Sequence, residues 1–241
     1  MHIVFSRKGV DTGAGGCASP IVNGRARSLP IPAPSGRSAT TYAMLGLGDL
    51  IERQSRERLN RDTLCHADPE FHAGRVAFGQ VSVAQSHLRN QGVGPDDVFL
   101  FFGLFENEGV RAHRIYGWMK VEDIIAPAQF AEPECLIGGD FPHPHTFAGW
   151  GTDNTIYLGR GRNNAPAVPE LCLTVPGASV SHWVVPGWLR ACGLSYHGTP
   201  KRWLVPGQLI SVARGQEFVT DISDCAPAHD WLDDVIGRIG R

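Results

Sequence analysis

Residues 98–121 read VFLFFGLFENEGVRAHRIYGWMKV. The unbroken apolar run that opens this stretch is typical of a strand buried on both faces. The short polar turn ENEG, residues 106–109, leads into a second strand, which we expect to pair with the first in an antiparallel manner. Alternate residues of a strand share a face, so Tyr116 and Trp118 are expected on one face of the second strand and His113 on the other. The stretch therefore predicts the centre of a largely antiparallel sheet.

Strand and helix signals continue on both sides of this hairpin. The dipeptide Asn23-Gly24 is typical of a type I′ hairpin turn. Ser82 opens an S-V-A-Q capping box with Gln85 at the third helical position. Further strands are expected at HIVF (2–5), TIYLGRG (155–161), ELCLTV (170–175) and QLISVA (208–213). Helices are expected at 43–60, from Ser82 onward, at WLRACG (188–193) and at PAHDWLDDVIGRI (227–239).

The composition bounds the fold class and the kinds of partner. The chain has 241 residues, 42% apolar and 19% charged, with 29 glycines and 17 prolines, which indicates a turn-rich globular protein. We predict an α+β (mixed α/β) fold. It would be a single compact domain over residues 1–241, with an antiparallel-rich β-sheet or partly closed barrel flanked by several helices. The formal net charge of −2 argues against an extended nucleic-acid surface but permits a small basic pocket for one nucleotide.

Cysteine usage and hydropathy predict a cytoplasmic protein. The six cysteines include no C-x-x-C pair and are interpreted as reduced thiols. The apolar start of the chain is short and is followed by Arg7 and Lys8, which does not fit a signal peptide. The longest apolar run, at 98–105, is far too short to span a membrane. We therefore expect no membrane partner.

A glycine-rich loop lies near the start of the chain, in SRKGVDTGAGGCASPI, residues 6–21. The loop has neither the Lys of a Walker motif nor the G-x-G-x-x-G spacing of a dinucleotide fingerprint. Two interpretations stay open: a tight turn that lets two strands pack closely, or an anion-binding nest of backbone amides. In the second interpretation the substrate would be contacted by Gly15, Gly16 and Ser19. Cys17, directly after these glycines, is a candidate nucleophile on an exposed turn.

Two histidine patterns carry the clearest chemical signal. CHADPEFH, residues 65–72, contains His66 and Asp68, and FPHPH, residues 141–145, contains His143 and His145. In an extended chain, residues two apart point the same way, so each pair can converge on one ion. A His-x-Asp pair with a distant His is the ligand set of the facial triad for non-haem Fe(II), and Zn(II) accepts the same groups. The alternative is structural: His143 and His145 cap a turn, and His66 satisfies buried carbonyls.

His113 extends this ligand hypothesis to the central hairpin. Its face of the strand makes it either a further metal ligand or an ordinary core histidine. The histidines outside these motifs have no companion pattern and are interpreted as structural; they are His2, His87, His182, His197 and His229.

Several stretches together resemble a known family, the third of the nucleotide modification associated domain families. The resemblance runs from Arg7 to about Arg202 and rests on SRKGVDTGAGGCASPI (6–21), NGRARSLPIP (23–32), CHADPE (65–70), DDVFLFFGLF (96–105), HRIYGWMKV (113–121) and NTIYLGRG (154–161). It implies an association with systems that modify or process nucleotide bases. It implies no particular catalytic residues, so the candidate site rests on the residue patterns alone.

The first functional hypothesis is a metal-dependent enzyme, with Fe(II) or Zn(II) as the cofactor held by the His/Asp set. Iron would make it an oxidoreductase, and zinc would favour hydrolysis or deamination. Asp11 would orient the substrate or act as a base, and Arg7, Lys8 or Arg202 would fix an anionic group. The expected partner is a nucleotide, a modified base or another small anionic substrate.

The second hypothesis is a non-catalytic binding module. The hairpin at 98–121 faintly resembles the small β-barrels (PUA/EVE-like) that bind modified bases, with Trp118 or Tyr116 as a stacking platform. Stoichiometric metal argues for the enzyme, and metal-free binding of a base or nucleotide argues for the module. A third possibility is a small-molecule substrate unrelated to nucleic acid, because a fold does not determine function.

Overall fold

A computed structural model describes residues 1–127, 130–212 and 217–240 of the 241-residue chain. Its strands share one large sheet and two small two-stranded sheets. The strands are β1 (His2–Arg7), β2 (Ser19–Val22), β3 (Arg25–Ala26), β4 (Ile31–Pro32), β5 (Cys65–His66), β6 (Glu70–His72), β7 (Arg75–Gln80), β8 (Val98–Asn107), β9 (Val110–Ile125), β10 (Thr155–Arg162), β11 (His182–Val184), β12 (Gln208–Ile210) and β13 (Glu217–Asp221).

The large sheet is mixed and mostly antiparallel, as the sequence predicts. Its order is β13-β1-β8-β9-β10-β7-β6, with β2 paired to both β8 and β3. The pairs β1–β8 and β2–β8 are parallel, and the other pairs are antiparallel. The predicted hairpin β8–β9 lies at the centre. Its turn is only Glu108-Gly109, with φ of 50° and 80° typical of type I′, because the strand pairing continues through Glu106 and Asn107.

A β-bulge in β9 changes which of its side chains share a face. Phe101 pairs with Gly117 but Phe102 pairs with Ile115, so Tyr116 is the extra residue. The bulge breaks the alternation of side chains, and Tyr116 and Trp118 consequently pack against different core clusters. The expectation that these two rings share a face is wrong for this reason.

The β8 run is buried on both faces and separates two apolar clusters. Phe99 and Phe101 belong to the inner cluster, while Leu100 and Phe102 belong to the outer cluster. The inner cluster collects side chains from seven strands, β1, β3, β7, β8, β9, β10 and β13. Its members are Val4, Ala26, Val76, Phe78, Leu88, Val93, Phe99, Phe101, Phe105, Tyr116, Met119, Val121, Tyr157 and Val219.

The sheet curls around the inner cluster without closing into a barrel. Gln80 at the end of β7 donates a hydrogen bond to Glu217 in β13, although four strands stand between theirs in the sheet order. Lys8, just after β1, also places its ammonium 4.6 Å from the centroid of the Phe78 ring in β7. This curl brings the ends of β1, β7 and β13 together, and the candidate site lies there.

The helices within the described ranges flank the sheet, which confirms the α+β class. They are α1 (Gly48–Ser55), α2 (Ser82–Asn90), α3 (Leu189–Cys192) and α4 (Ala226–Ile239). α1 is shorter than the predicted 43–60 because Arg56 and Glu57 take positive φ of 55° and 61° directly after it. None of these helices is long and apolar enough to cross a membrane.

The predicted capping box at α2 is wrong. Ser82 has φ of 62°, Val81 precedes the helix, and no side chain caps its start. Gln85 is instead buried, where its Oε1 accepts a hydrogen bond from Tyr157 Oη at 3.0 Å. The glutamine satisfies a buried tyrosine and cannot also reach back to the helix start.

Of two other strand predictions, the first is wrong and the second is partly correct. ELCLTV forms a 3₁₀ turn at Pro169–Leu171 and then isolated bridges, so it is not a strand. QLISVA forms the short strand β12, and its last residue, Ala213, lies outside the described residues. The predicted helices at 188–193 and 227–239 are confirmed as α3 and α4, and the Asn23-Gly24 hairpin as β2–β3.

Candidate metal centre

The CHADP motif is positioned by two short strand pairings. His66 ends β5, which pairs with β4 in the register Ile31↔His66. Asp68 follows two residues later and is fixed by β7, because the Gly79 N–H donates to Asp68 Oδ1 at 2.8 Å. These contacts bring the motif to the end of the curled sheet.

The FPHPH motif arrives from a separate turn. His143 precedes a 3₁₀ turn, Pro144–Thr146, and its Nδ1 accepts the His145 N–H at 3.3 Å. The pair is therefore not extended, and of its two rings only that of His145 belongs to the group of described residues that could hold a metal ion. The expected turn-capping role is correct for His143, while His145 enters the cluster.

Three side chains offer ligand atoms to a common point. One atom each from His66, Asp68 and His145 lies within 4.8 Å of the other two. Asp68 Oδ2 is 3.7 Å from His66 Nε2 and 4.0 Å from His145 Nε2. Two imidazole nitrogens and one carboxylate oxygen form a facial triad donor set for a transition metal.

The remaining polar atoms of Asp68 and His145 are engaged by neighbours. His143 Nε2 lies 3.1 Å from Asp68 Oδ1, and because His143 Nδ1 already accepts a backbone N–H, Nε2 is the donor in the neutral ring. His145 Nδ1 lies 2.6 Å from Asn154 Oδ1, and Asn154 Nδ2 donates to the His145 carbonyl at 2.8 Å. Asp68 Oδ2 and His145 Nε2 are left as the atoms that face the cluster, as in many protein metal sites.

An aromatic stack fixes the plane of the His145 ring. Trp150 stacks on His145 with ring centroids 4.4 Å apart and an interplanar angle of 3°. The Arg37 guanidinium lies 4.0 Å from the Trp150 ring centroid, a cation–π contact. On another side Gly79 is required, because a Cβ there would overlap the His145 ring.

The electrostatics keep Asp68 and His145 in their ligating forms. Burial acts to raise the pKa of Asp68, but its interactions with His143 and His66 outweigh burial and hold the pKa well below its usual range. Burial lowers the pKa of His145 to about 3, although the Asp68 charge acts in the opposite sense. The carboxylate is thus ionised and the imidazole neutral at pH 7.

A cavity of about 230 Å³ joins this cluster to the glycine loop. Six of the residues that the sequence predicts as site residues line this cavity. They come from the glycine loop and the two histidine motifs, and they are Arg7, Lys8, Asp11, His66, Asp68 and His145. Its lining also includes Gln80 and Trp150. The fold therefore brings the two motif regions that the sequence singled out into one cavity.

Within the glycine loop, two backbone amides donate hydrogen bonds to an aspartate of the same loop. Asp11 Oδ1 accepts the N–H groups of Gly13 and Ala14, both at 2.7 Å. Gly15 and Gly16 have φ of 85° and 67°, and the Gly16 carbonyl accepts from Arg58 at 2.6 Å. This geometry is that of a tight turn closed by Asp11.

The two cations of the cavity differ in their partners. Lys8 Nζ donates to Glu217 Oε1 at 3.0 Å, and the Glu217 side chain is only 1% exposed. The Arg7 side chain has no hydrogen-bond or ion-pair partner among the residues that the structure describes.

Several predicted residues are not brought to the cluster. His113 Nδ1 accepts from Trp183 Nε1 at 3.0 Å, and burial lowers its pKa to about 4. Trp118 packs against the outer cluster, and Arg202 donates to the Ile210 carbonyl at 3.3 Å.

Two loop residues are likewise buried away from the cavity. Cys17 is 2% exposed in a core cluster beside α1, and burial raises the pKa of its thiol. Ser19 is 1% exposed, and its Oγ accepts the Leu29 N–H at 3.0 Å.

Three residues that position the cluster carry no signal in the sequence. They contribute through contacts that only the folded chain creates, and they are Gly79, Trp150 and Asn154. Each of them follows one of the two histidine motifs within a short stretch of sequence.

One comparison with known proteins finds a match. A protein-family model described as nucleotide modification associated domain 3 matches residues 2–221 of the 241-residue chain. No curated protein and no solved structure matches the chain significantly.

Proposed function

The chain belongs to the nucleotide modification associated domain 3 family, and on that basis we propose that it is a metal-dependent enzyme acting on a nucleotide or a related small anionic substrate. Its cofactor would be one Fe(II) or Zn(II) ion held by His66, Asp68 and His145. The family associates the chain with nucleotide modification, and the His–Asp cluster supplies the chemistry.

The observation that carries this proposal is the convergence of the three ligand atoms within 4.8 Å. The residues fit a metal because, among the described residues, Asp68 Oδ2 and His145 Nε2 face only members of the cluster. The other carboxylate oxygen and the other ring nitrogen are held by His143, Gly79 and Asn154. Bound there, iron would supply oxidative chemistry, and zinc would act as a Lewis acid for hydrolysis or deamination.

Around the ion, the protein's own groups would bind and orient the substrate. Arg7 would hold an anionic group, since it lines the cavity and has no partner in the described part of the chain. Lys8 is already paired with Glu217, so it would contribute to the electrostatic potential of the cavity without binding the substrate directly. Asp11, whose Oδ1 closes the loop, has its second oxygen available to orient the substrate or accept a proton.

The first test is elemental analysis of protein purified anaerobically. We expect about one equivalent of iron or zinc in the wild type and its loss in His66→Ala and His145→Ala. His72→Ala is the matched control, because His72 lies in the same motif but is exposed and outside the cluster. His143→Gln should weaken metal retention without abolishing it, since His143 orients a ligand and does not supply one.

Absence of metal from the wild type, even after anaerobic reconstitution, would contradict the enzyme proposal. Metal-free binding of a base or nucleotide would then favour the non-catalytic module. That module would not use the hairpin as its platform, because Tyr116 is 2% exposed and Trp118 packs against the outer cluster.

A further inference from the structure

A second cavity, of about 330 Å³, lies beside the first along the start of α2. The two cavities share Val81 and Ala84 in their linings. The lining of the second cavity is completed by Ser82, Val83, His87, Tyr196 and Glu217. We call it the α2 cavity. Its described lining is mostly apolar and aromatic, with a single carboxylate, which is the usual make-up of a small-ligand pocket.

The carboxylate of the α2 cavity has one oxygen without a hydrogen-bond partner. Glu217 Oε1 accepts from Lys8 Nζ and from Gln80 Nε2. Glu217 Oε2 is buried and has no donor among the described residues. A buried acceptor without a donor is rare and calls for an explanation. Because Lys8 already supplies a positive charge to this carboxylate, an uncharged N–H donor would match Glu217 Oε2 best.

Two aromatic rings, packed on each other, line one side of the α2 cavity. Tyr196 and His87 lie with ring centroids 4.5 Å apart at 34°, and His87 Nε2 is held 3.0 Å from Ser195 Oγ. Tyr196 is 49% exposed and has φ of 64°, a backbone conformation that a bulky residue adopts only under constraint. Strained, exposed residues of this kind are concentrated at ligand sites.

We propose that the α2 cavity binds a planar heterocycle with an exocyclic amino group, such as cytosine or adenine. The amino N–H would be donated to Glu217 Oε2, and the ring would pack against Tyr196. Uracil and hypoxanthine present a carbonyl at the corresponding position, which would face the carboxylate oxygen and be repelled. The cavity thus selects amino bases over their oxo counterparts.

The inference rests on the proposed function in one respect: the base would belong to the substrate whose reacting part lies at the His–Asp cluster. The linings support this arrangement, because Val81 and Ala84 border both cavities. Lys8 and Gln80, which hold Glu217, also line the first cavity. Base binding itself does not require the metal.

The test is calorimetric binding of nucleosides in matched pairs, cytidine against uridine and adenosine against inosine. We expect the amino member of each pair to bind about tenfold more tightly or better. The titrations are run on metal-loaded and chelator-treated protein, and the preference should persist in both. Equal binding within both pairs would overturn the inference.

Variants separate recognition from folding. Tyr196→Ala should weaken amino-nucleoside binding about tenfold, whereas Tyr196→Phe and the control Val110→Ala, at a side chain 67% exposed on the hairpin turn, should not. Glu217→Gln should lose or reverse the amino preference, because the amide can donate to a carbonyl. If Glu217→Gln does not fold, the Tyr196→Ala variant still tests the proposal. Amino-nucleoside binding by Tyr196→Ala as tight as that of the wild type would contradict it.

The outcomes distinguish this inference from the proposed function. If the wild-type protein holds no metal but still prefers amino nucleosides, the enzyme proposal is contradicted and the base-binding inference is supported. Stoichiometric metal without any amino preference would remove the base pocket and leave the enzyme proposal.

Discussion

The His145 imidazole is held by Trp150 on one face and by Asn154 at Nδ1, so its orientation depends on residues that do not touch the metal position. Replacing Trp150 with Leu removes the flat face and lets the ring rotate. We expect metal affinity to fall about tenfold or more, as is usual when a group that orients a ligand is lost. The measurement is a competition titration of the metal-free protein against a chromophoric chelator.

Trp150→Phe is the conservative control for this substitution, since a phenyl ring preserves the stacked face. Its affinity should stay within a few-fold of the wild type. A folded Trp150→Leu protein with wild-type affinity would show that the turn backbone alone orients His145.

The strand β7 approaches the turn that carries His145 so closely that only glycine fits between them. Gly79→Ala should therefore displace the His145 ring and abolish metal binding, and the overpacking should lower the free energy of unfolding by about 1–3 kcal/mol. Gly187→Ala is the control, because a Cβ at Gly187 meets no atom within 4 Å. Metal content and urea denaturation of both variants test this. Stoichiometric metal in a stable Gly79→Ala protein would contradict the close approach.

How far the sequence predicts these elements depends on whether a signal is local. The β8–β9 hairpin, the Asn23-Gly24 turn and α4 follow from runs and turns a few residues long, and all three are confirmed. The capping box at Ser82 fails because Gln85 is recruited by Tyr157, a residue 72 positions away. A long-range contact of this kind leaves no trace in a local pattern.

The candidate site divides in the same way. His66, Asp68 and His145 are recognisable from spacing, because ligand chemistry restricts residue types. Gly79 and Trp150 are not, because a close approach or a stacked ring gives no residue pattern of its own. The sequence also could not show that Arg7 is a better candidate than Lys8 for binding an anionic substrate group. That difference arises because Lys8 forms an ion pair with Glu217, a residue 209 positions away.

For the molecule as a whole, the Lys8–Glu217 pair helps to hold the curl of the sheet. The two side chains are 10% and 1% exposed, so removing one charge leaves the other buried and uncompensated. Lys8→Met should lower the free energy of unfolding by about 3–5 kcal/mol. Lys120→Met is the control, because its pair with Asp96 is 34% and 79% exposed and contributes little. Urea denaturation measures both, and equal small losses would mean that the curl does not depend on the pair.

Acid sensitivity should also be a property of the whole fold, and His113 is a source of it outside the candidate metal centre. Burial first, and then the Arg7 charge, lower the pKa of His113 to about 4, against an ordinary value of 6.5, while Asp11 opposes the shift. Because the folded pKa is the lower one, the unfolded chain takes up the proton first as the pH falls. The contribution of neutral His113 is therefore complete above about pH 6.5 and is lost as the pH falls from there toward 4.

At pH 5 this loss amounts to about 2 kcal/mol of unfolding free energy. His113→Asn keeps an acceptor for Trp183 Nε1 but cannot be protonated, so it should lose less stability than the wild type between pH 7 and pH 5. Urea denaturation of chelator-treated protein at the two pH values measures the difference without interference from bound metal. Parallel losses in both proteins would assign the acid sensitivity to other buried histidines, such as His145 and His197, because burial also lowers their pKa.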